Sequence, residues 1–460
     1  MNKKILFTPV GGTDPISETN FHDGPIIHIA RHYKPDIICM YMSKEILDNE
    51  EADKKDDKDK NKEGRYLYCI RKLGEKLGQT FEIERIERPE LEQVQLFDSI
   101  YTDFETILDD ITGKLNDTDE LLLNISSGTP AMKSALLVLA TMIDIPCKCI
   151  QVNTPEKNMN EHKHDKKDGF QMDLLWELNP DNNGEYSPGD ENYNRTHEET
   201  LVSLKRLKYE EIIKKFVRSY DYHAALLLAE GMSAEHTKQY FNKLKLADAR
   251  QKLNFYEVDD LLKNENKEMK EIYSPIRTEK NRKAYEYMLA LQAKEAKGEY
   301  VDFIRGISPI FTDLLEGILL KHAQFDISDY TYTDDEGVKW DADRLSGTQY
   351  IGILNAAYTR GFAGGWVKSD HLVKLIQGLI ADLSLRGCVE ALRKIEKIVR
   401  NPAAHEIVGL SDKKIKEMTG YNCKEIIDLI REAFTYTSYN IKSCYWNSYD
   451  AMNDDIISSI

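Results

Sequence analysis

The segment Leu121-Leu-Leu-Asn-Ile-Ser-Ser-Gly-Thr-Pro130 joins a predicted strand to a predicted helix. Apolar residues fill four of the five positions from Leu121 to Ile125, as in a strand buried on both faces of a parallel sheet. Thr129 fits a helix N-cap and Pro130 fits the first helical position, so a helix is predicted up to Ile143. A strand that passes directly into a helix is the repeating unit of α/β folds.

The same alternation fills the N-terminal part of the chain and predicts an α/β, Rossmann-like domain over residues 1–178. Its parallel sheet is expected to be covered by helices on both faces. Strands are predicted at Ile5–Val10, Asp36–Met42, Thr80–Glu87, Leu121–Ile125, Cys147–Val152 and Phe170–Leu178. The mixed-charge run from Asp48 to Gly64 interrupts the alternation and indicates a solvated insertion.

Residues 179–199, which are rich in Asn, Asp, Gly and Pro towards their start, are predicted to form a linker. The remaining residues, 200–460, show helical periodicity almost throughout and predict an all-α region. A short hairpin or loop insertion is expected within Tyr330–Gly347.

Length and composition limit the class of protein. A chain of 460 residues is expected to form two or three domains. Seven scattered cysteines predict reduced thiols, and the apolar stretch after Lys3 and Lys4 is too short for a signal peptide. With no apolar run of membrane-spanning length, a cytoplasmic protein that does not contact a membrane is expected. The net charge of -17 excludes a broad surface for nucleic acid, so any nucleotide must bind at a local basic site.

Two strand-to-helix loops are candidates for a phosphate-binding site. In such sheets ligands bind beyond the carboxyl ends of the strands, where backbone amides at a helix start attract anions. The alternative is a pair of simple turns. No Gly-x-Gly-x-x-Gly or Walker sequence is present, so no dinucleotide or other cofactor is expected. The candidate ligand-binding residues are Thr8, Gly11, Gly12, Thr13, Asp14, Ser126, Ser127, Gly128 and Thr129.

A second candidate site lies at Arg400-Asn-Pro-Ala-Ala-His405, after a helix predicted from Gly387 to Val399. Histidine can transfer a proton near neutral pH, and arginine can bind a phosphate and offset charge in a transition state. The pair therefore suits cleavage of a phosphodiester, whereas a plain surface turn is the alternative. Arg393, Lys394 and Lys397 add positive charge nearby that could hold an RNA backbone, whereas a solvated helix face is the alternative for the lysines.

Histidine pairs elsewhere do not indicate a metal site. His28 and His32 have the helical spacing of metal ligands, but the accompanying Glu of a His-Glu-x-x-His pattern is absent. We therefore predict that the protein binds no metal.

A Rossmann-like domain with Ile125-Ser-Ser-Gly-Thr-Pro-Ala-Met-Lys-Ser134, followed by a helical domain with Arg400 and His405, resembles the CARF–HEPN ribonucleases of type III CRISPR systems. It is most similar to the type III-A ancillary ("Csm-six") type. The resemblance implies that the CARF domain binds a cyclic oligoadenylate made by the type III effector complex. Similarity to the type found in Gram-positive cocci favours cyclic hexa-adenylate over tetra-adenylate. The family resemblance also implies that the HEPN domain cleaves single-stranded RNA and that the protein is a homodimer.

Residue chemistry and resemblance together predict the roles of three catalytic residues. His405 activates the ribose 2′-hydroxyl or protonates the leaving oxygen, Arg400 stabilises the transition state, and Asn401 orients either group. The product would be a 2′,3′-cyclic phosphate formed without a metal. Two alternatives stay open: a non-catalytic nucleotide-sensing adaptor, and a HEPN enzyme that acts on nucleotides.

Overall fold

A computed structural model describes residues 3–56, 63–116, 118–142, 147–155, 172–335, 337–400 and 409–460. Contacts divide the chain into two compact units, Met1–Lys208 and Tyr209–Ile460. The first unit extends beyond the predicted end of the sheet domain at residue 178. Each unit is described by itself below.

The first unit is built on a six-stranded sheet with the order β3-β2-β1-β4-β5-β6. Strands β1 to β5 are parallel, and β6 runs antiparallel to β5 at the edge. The strands are β1 (Lys4–Pro9), β2 (Ile37–Ser43), β3 (Glu82–Arg88), β4 (Glu120–Asn124), β5 (Cys147–Val152) and β6 (Thr196–Glu199). The predicted α/β fold of this unit is therefore confirmed.

Alternate residues of each central strand enter different hydrophobic cores, because side chains in a strand point to opposite faces. Phe7 packs on one face with Phe104 and Leu136, while Leu6 packs on the other face with Ile27 and Leu73. The helices that cover the two faces account for the nearly continuous apolar strands. The helices of this unit are α1 (Pro25–Tyr33), α2 (Lys44–Asp56), α3 (Arg65–Leu77), α4 (Phe97–Thr112), α5 (Pro130–Met142), α6 (Met172–Leu178) and α7 (Pro180–Asn183).

The prediction of a last strand at Phe170–Leu178 is wrong, because Met172–Leu178 is helix α6. Met172, Leu175 and Trp176 pack against the core at a spacing of three and four residues, which is helical and not alternating. The sixth strand comes instead from Thr196–Glu199, inside the predicted linker. Its polar sequence gave no strand pattern, because an edge strand needs only backbone pairing with β5.

A buried polar network ties the predicted linker to α1. The Arg195 guanidinium contacts the Asp181 carboxylate at 3.0 Å, and the Arg195 backbone amide donates to His28 Nε2 at 2.9 Å. Asn179 donates to the Asp23 carboxylate, which is also paired with Arg31 at 2.7 Å. These contacts make residues 179–195 part of the packed unit. We call this set of residues the linker network; its members are Asp23, His28, Arg31, Asn179, Asp181 and Arg195.

The second unit is helical, as predicted. Its core packs α14 and α15 against helices from the C-terminal part of the chain. The helices are α8 (Val202–Arg218), which crosses the boundary between the units, then α9 (Tyr222–Glu230), α10 (Ala234–Thr237), α11 (Phe241–Gln251), α12 (Phe255–Leu261), α13 (Lys267–Tyr273), α14 (Glu279–Ala296), α15 (Tyr300–Ala323), α16 (Ala342–Leu345), α17 (Gln349–Ala357), α18 (Ser369–Leu379), α19 (Leu383–Ile395), α20 (Asp412–Thr419), α21 (Cys423–Thr435) and α22 (Ser448–Ser459).

The predicted hairpin is present as β7 (Thr331–Asp334) and β8 (Gly337–Trp340), which pair antiparallel. Among the described residues, we find no helix whose length and apolar character together suffice to span a membrane.

Candidate functional site

The two candidate loops lie side by side at the switch point of the sheet. Strands β1 and β4 are neighbours, and the chain runs outward from them in opposite directions, to β2 and to β5. The first loop (Thr8–Asp14) leaves the carboxyl end of β1, and the second loop (Ser126–Pro130) leaves that of β4. A crevice between such loops is the usual ligand site of a doubly wound sheet.

Asn124, at the end of β4, holds the two loops together. Its side-chain amide donates to Thr8 Oγ1 at 2.8 Å and to Ser127 Oγ at 3.0 Å, and its carbonyl oxygen accepts from the Ser126 amide at 2.9 Å. Asn124 and Thr8 are fully buried. Asn124 was not among the predicted site residues, although a polar residue after three leucines is a signal in the sequence.

Glycine allows the backbones of the two loops to meet. A Cβ placed on Gly11 would lie 2.8 Å from the backbone nitrogen of Gly128. Gly128 itself has a φ of 83°, in the left-handed region that favours glycine. A Cβ there would lie 2.9 Å from Pro9 Cβ. The close approach therefore needs glycine on both sides.

Asp14 links the first loop to the second loop and to the start of α1. Its carboxylate accepts from the amides of Gly11 and Ile26, each at 3.0 Å, and from the Ser127 hydroxyl. Burial raises the pKa of Asp14 to about 6 despite these hydrogen bonds and the nearby Lys133 charge. Burial likewise lowers the pKa of Lys133, on the first turns of α5. The crevice thus holds a buried acid and a half-buried cation.

The structure brings all nine predicted residues into one region but gives them different positions. Thr8, Asp14 and Ser127 are buried and connect the loops, whereas Gly12 is exposed. Thr129 caps α5 and donates to the Val94 carbonyl at 2.8 Å, so its hydroxyl already has a partner. The half-buried residues at the crevice are Gly11, Thr13, Ser126, Gly128 and Thr129.

In the second unit, the predicted helix before Arg400 changes form at its end. Helix α19 ends at Ile395, and the π-helical turn Glu396–Arg400 follows it. Such turns are often found at functional sites. Asn401 and His405 lie outside the described residues, so the predicted catalytic geometry stays a prediction.

Glu396 anchors this π-helical turn. Its buried carboxylate accepts from Ser308 Oγ on α15, Ser369 Oγ on α18 and Arg393 Nη1, each at 2.7 Å. Arg393 is also paired with Asp370 at 3.2 Å. Two carboxylates therefore already pair with the Arg393 guanidinium, and a contact of Arg393 with an RNA backbone stays a prediction.

One buried cluster has the composition of a metal site. Ligand atoms of Asp23, His28 and Asp181 lie within 4.8 Å of one another. Arg31 and Arg195 pair with the two carboxylates, however, and their charges oppose a cation at this place. The cluster fits a structural role in the linker network.

Comparison with known proteins identifies both units. Three family models match successive parts of the chain: the Cas_Csm6 CARF domain over residues 82–190, the CRISPR-associated protein Csm6 6H domain over 200–251, and the Cas_Csm6 HEPN domain over 261–457. The chain belongs to the Csm6 family of CARF–HEPN ribonucleases. The resemblance drawn from the loop and the Arg–His motif is thereby confirmed.

Relatives of this Csm6-family chain match it over its full length. It is 28% identical to the CRISPR system endoribonuclease Csm6 of Mycobacterium tuberculosis, over 99% of this chain and 98% of that one. It is 24% identical to the Csm6 endoribonuclease of Streptococcus thermophilus, over 99% and 100%. Enterococcus italicus Csm6 bound to cyclic hexa-2′-fluoro-hexa-dAMP shares the fold, with a TM-score of 0.65 at 20% identity over both complete chains.

Proposed function

We propose that this Csm6-family protein is an endoribonuclease that cleaves single-stranded RNA when a cyclic oligoadenylate binds its CARF unit. The proposal rests on one observation. Two glycine-containing loops lie together at the switch point of the first unit, and this unit precedes a HEPN domain in the chain. Cleavage produces a 2′,3′-cyclic phosphate, and the activator comes from the type III CRISPR effector complex. Incubating the purified protein with labelled RNA, with and without cyclic tetra- and hexa-adenylate, tests the function directly.

In the proposed cleavage, residues of the HEPN motif move the protons. His405 takes the proton of the ribose 2′-hydroxyl or delivers one to the leaving oxygen, and Arg400 offsets the charge on the phosphate. Asn401 orients one of these groups. One chain supplies a single Arg400 and a single His405, whereas the reaction is best served by an acid and a base on opposite sides of the phosphate. We therefore propose a homodimer in which two motifs face each other across a two-fold axis.

In the proposed activation, the crevice of the CARF unit binds the adenylate ring. The predicted binding residues are Thr8, Gly11, Gly12, Thr13, Asp14, Ser126, Ser127, Gly128 and Thr129. Backbone amides at the start of α5 and the Lys133 charge suit a phosphodiester anion. The E. italicus relative carries a cyclic hexanucleotide analogue, which supports cyclic hexa-adenylate as the activator.

Cleavage is expected to persist in excess EDTA, because the proposed chemistry uses only side chains. The measurement is the initial rate of activator-dependent RNA cleavage after the protein has been stripped of divalent cations. A rate that falls to background in EDTA and returns with magnesium would contradict the Arg–His mechanism.

Replacing Glu396 with alanine is expected to lower kcat by about 10²-fold, because a small displacement of the π-helical turn would misplace Arg400. KM for RNA and the affinity for the activator are expected to change little. Glu396→Gln, which keeps hydrogen-bond acceptance from one serine, should fall between wild type and Glu396→Ala.

Glu390→Ala is the matched control for Glu396, since Glu390 is an exposed carboxylate on the preceding helix α19, where it accepts from Gln377. Its kcat should equal that of wild type. Equal kcat for Glu396→Ala and Glu390→Ala would show that the buried anchor does not position the motif.

A further inference from the structure

The seven cysteines of the chain differ sharply in their surroundings. All seven are free, and burial raises the pKa of Cys39, Cys69, Cys388 and Cys423. Cys444 is exposed. Cys147 is half-buried and shares one face of β5 with Cys149, two residues further along the strand. These two thiols form the one pair of this kind that we find in the described residues.

A cavity opens beside this pair. Its volume is about 200 Å³, and it is lined by residues of α5, β5, β6 and the start of α8. One molecule of liquid water occupies roughly 30 Å³, so a small solute fits in the cavity. The charged residues that line it are Lys148, Glu198, Glu199 and Lys205.

The surroundings of Cys147 favour the thiolate. A hydrogen bond from the Cys149 thiol and the charge of Lys205 lower the pKa of Cys147 to about 7, against the opposing effect of burial. The same hydrogen bond and burial raise the pKa of Cys149. The surroundings of the pair therefore favour the thiolate at Cys147 over the thiolate at Cys149. A partly exposed thiolate near a lysine is the setting in which cysteines react.

We propose that Cys147 is an oxidation site that reacts with a small hydroperoxide entering this cavity. The Cys147 sulfur attacks one peroxide oxygen, an S–O bond forms and the O–O bond breaks. The departing oxygen, a hydroxide from hydrogen peroxide or an alkoxide from an organic hydroperoxide, takes a proton from solvent and leaves as water or an alcohol. The sulfur is oxidised to a sulfenic acid while the peroxide is reduced. The site belongs to the edge of the CARF sheet, and the proposal does not depend on the ribonuclease function.

The test treats the full-length protein with hydrogen peroxide in the presence of dimedone, which traps sulfenic acids, and locates the adduct by peptide mass spectrometry. Cys444 serves as the reference thiol in the same chain. The adduct is expected predominantly at Cys147, with a rate that rises through pH 7. An adduct confined to Cys444, or equal at the two residues, would overturn the proposal.

Two variants test whether Cys147 reacts because of its neighbour Cys149 or only because it is exposed. Cys149→Ala removes the donor and is expected to slow labelling of Cys147 at pH 7 about threefold, with its midpoint shifted towards the ordinary thiol value of about 8.5. Cys149→Ser keeps a hydroxyl donor and should retain a midpoint nearer to that of wild type. Unchanged rate and midpoint in Cys149→Ala would overturn the proposed activation, and circular dichroism checks that both variants are folded.

Discussion

A variant in which alanine replaces His405 is expected to cleave RNA about 10³-fold more slowly than wild type, because general acid–base catalysis contributes about 10² to 10⁴ in such reactions. Binding of the activator and thermal stability should remain at the wild-type level, since the change is confined to the HEPN motif. The measurements are single-turnover cleavage of labelled RNA and calorimetric binding of cyclic hexa-adenylate.

His223→Ala is the matched control, since His223 is a largely exposed histidine of the same unit, with a side chain 58% accessible. It should cleave RNA at the wild-type rate. If His405→Ala is as active as His223→Ala, His405 takes no part in the mechanism. That result would favour a nucleotide-sensing adaptor or a different catalytic residue.

A mixed dimer shows whether the cleft is shared. When wild-type chains are combined with His405→Ala chains and the heterodimer is isolated, a shared cleft predicts activity well below half that of the wild-type dimer. Activity of one half, together with fully active monomers in sedimentation, would contradict a cleft built from both chains.

Gly11→Val is expected to abolish activation by cyclic oligoadenylate. The added side chain would begin 2.8 Å from the Gly128 nitrogen, so the two loops could not keep their approach. Because the obstacle is backbone, a change of rotamer cannot relieve it. We expect the affinity for the activator, measured by calorimetry, to fall more than about 10²-fold. Each factor of ten in affinity corresponds to about 1.4 kcal/mol of binding free energy, so a fall of this size is consistent with the loss of several contacts.

Gly12→Ala provides the comparison for Gly11, because a Cβ on Gly12 meets no atom within 4 Å. This variant keeps the loops in place, so its loss of affinity should be much smaller. Far-UV circular dichroism should show that both proteins are folded. Wild-type affinity in Gly11→Val would refute the assignment of these loops to the activator.

The sequence predicted features whose signal is local. Apolar runs such as Leu121–Ile125 indicated buried strands, and the cap formed by Thr129 and Pro130 indicated where α5 begins. The two loops were found in the same way, because each follows a strand of a recognisable type. Family resemblance then rested on two short motifs that can be read without any tertiary contact.

Features that depend on distant partners were missed. Asn124 connects the loops through hydrogen bonds to Thr8 and Ser127, and nothing in the local sequence identifies those acceptors. Arg393 looked free to bind RNA because its carboxylate partner Asp370 is 23 residues away on another helix. Strand β6 has no apolar alternation, since its backbone pairing requires none.

The linker network and β6 determine where a fragment that contains only the sensor unit can end. A fragment that ended at Leu178, where the strand–helix alternation stops, would leave the outer backbone groups of β5 without the pairing that β6 provides. Asp23 and His28 would also lose the partners supplied by Asn179 and Arg195. An open parallel-sheet edge is a template for pairing with other chains. Recombinant sensor fragments that stop there would associate edge to edge and aggregate, whereas fragments that continue to Lys208 carry their own protective strand.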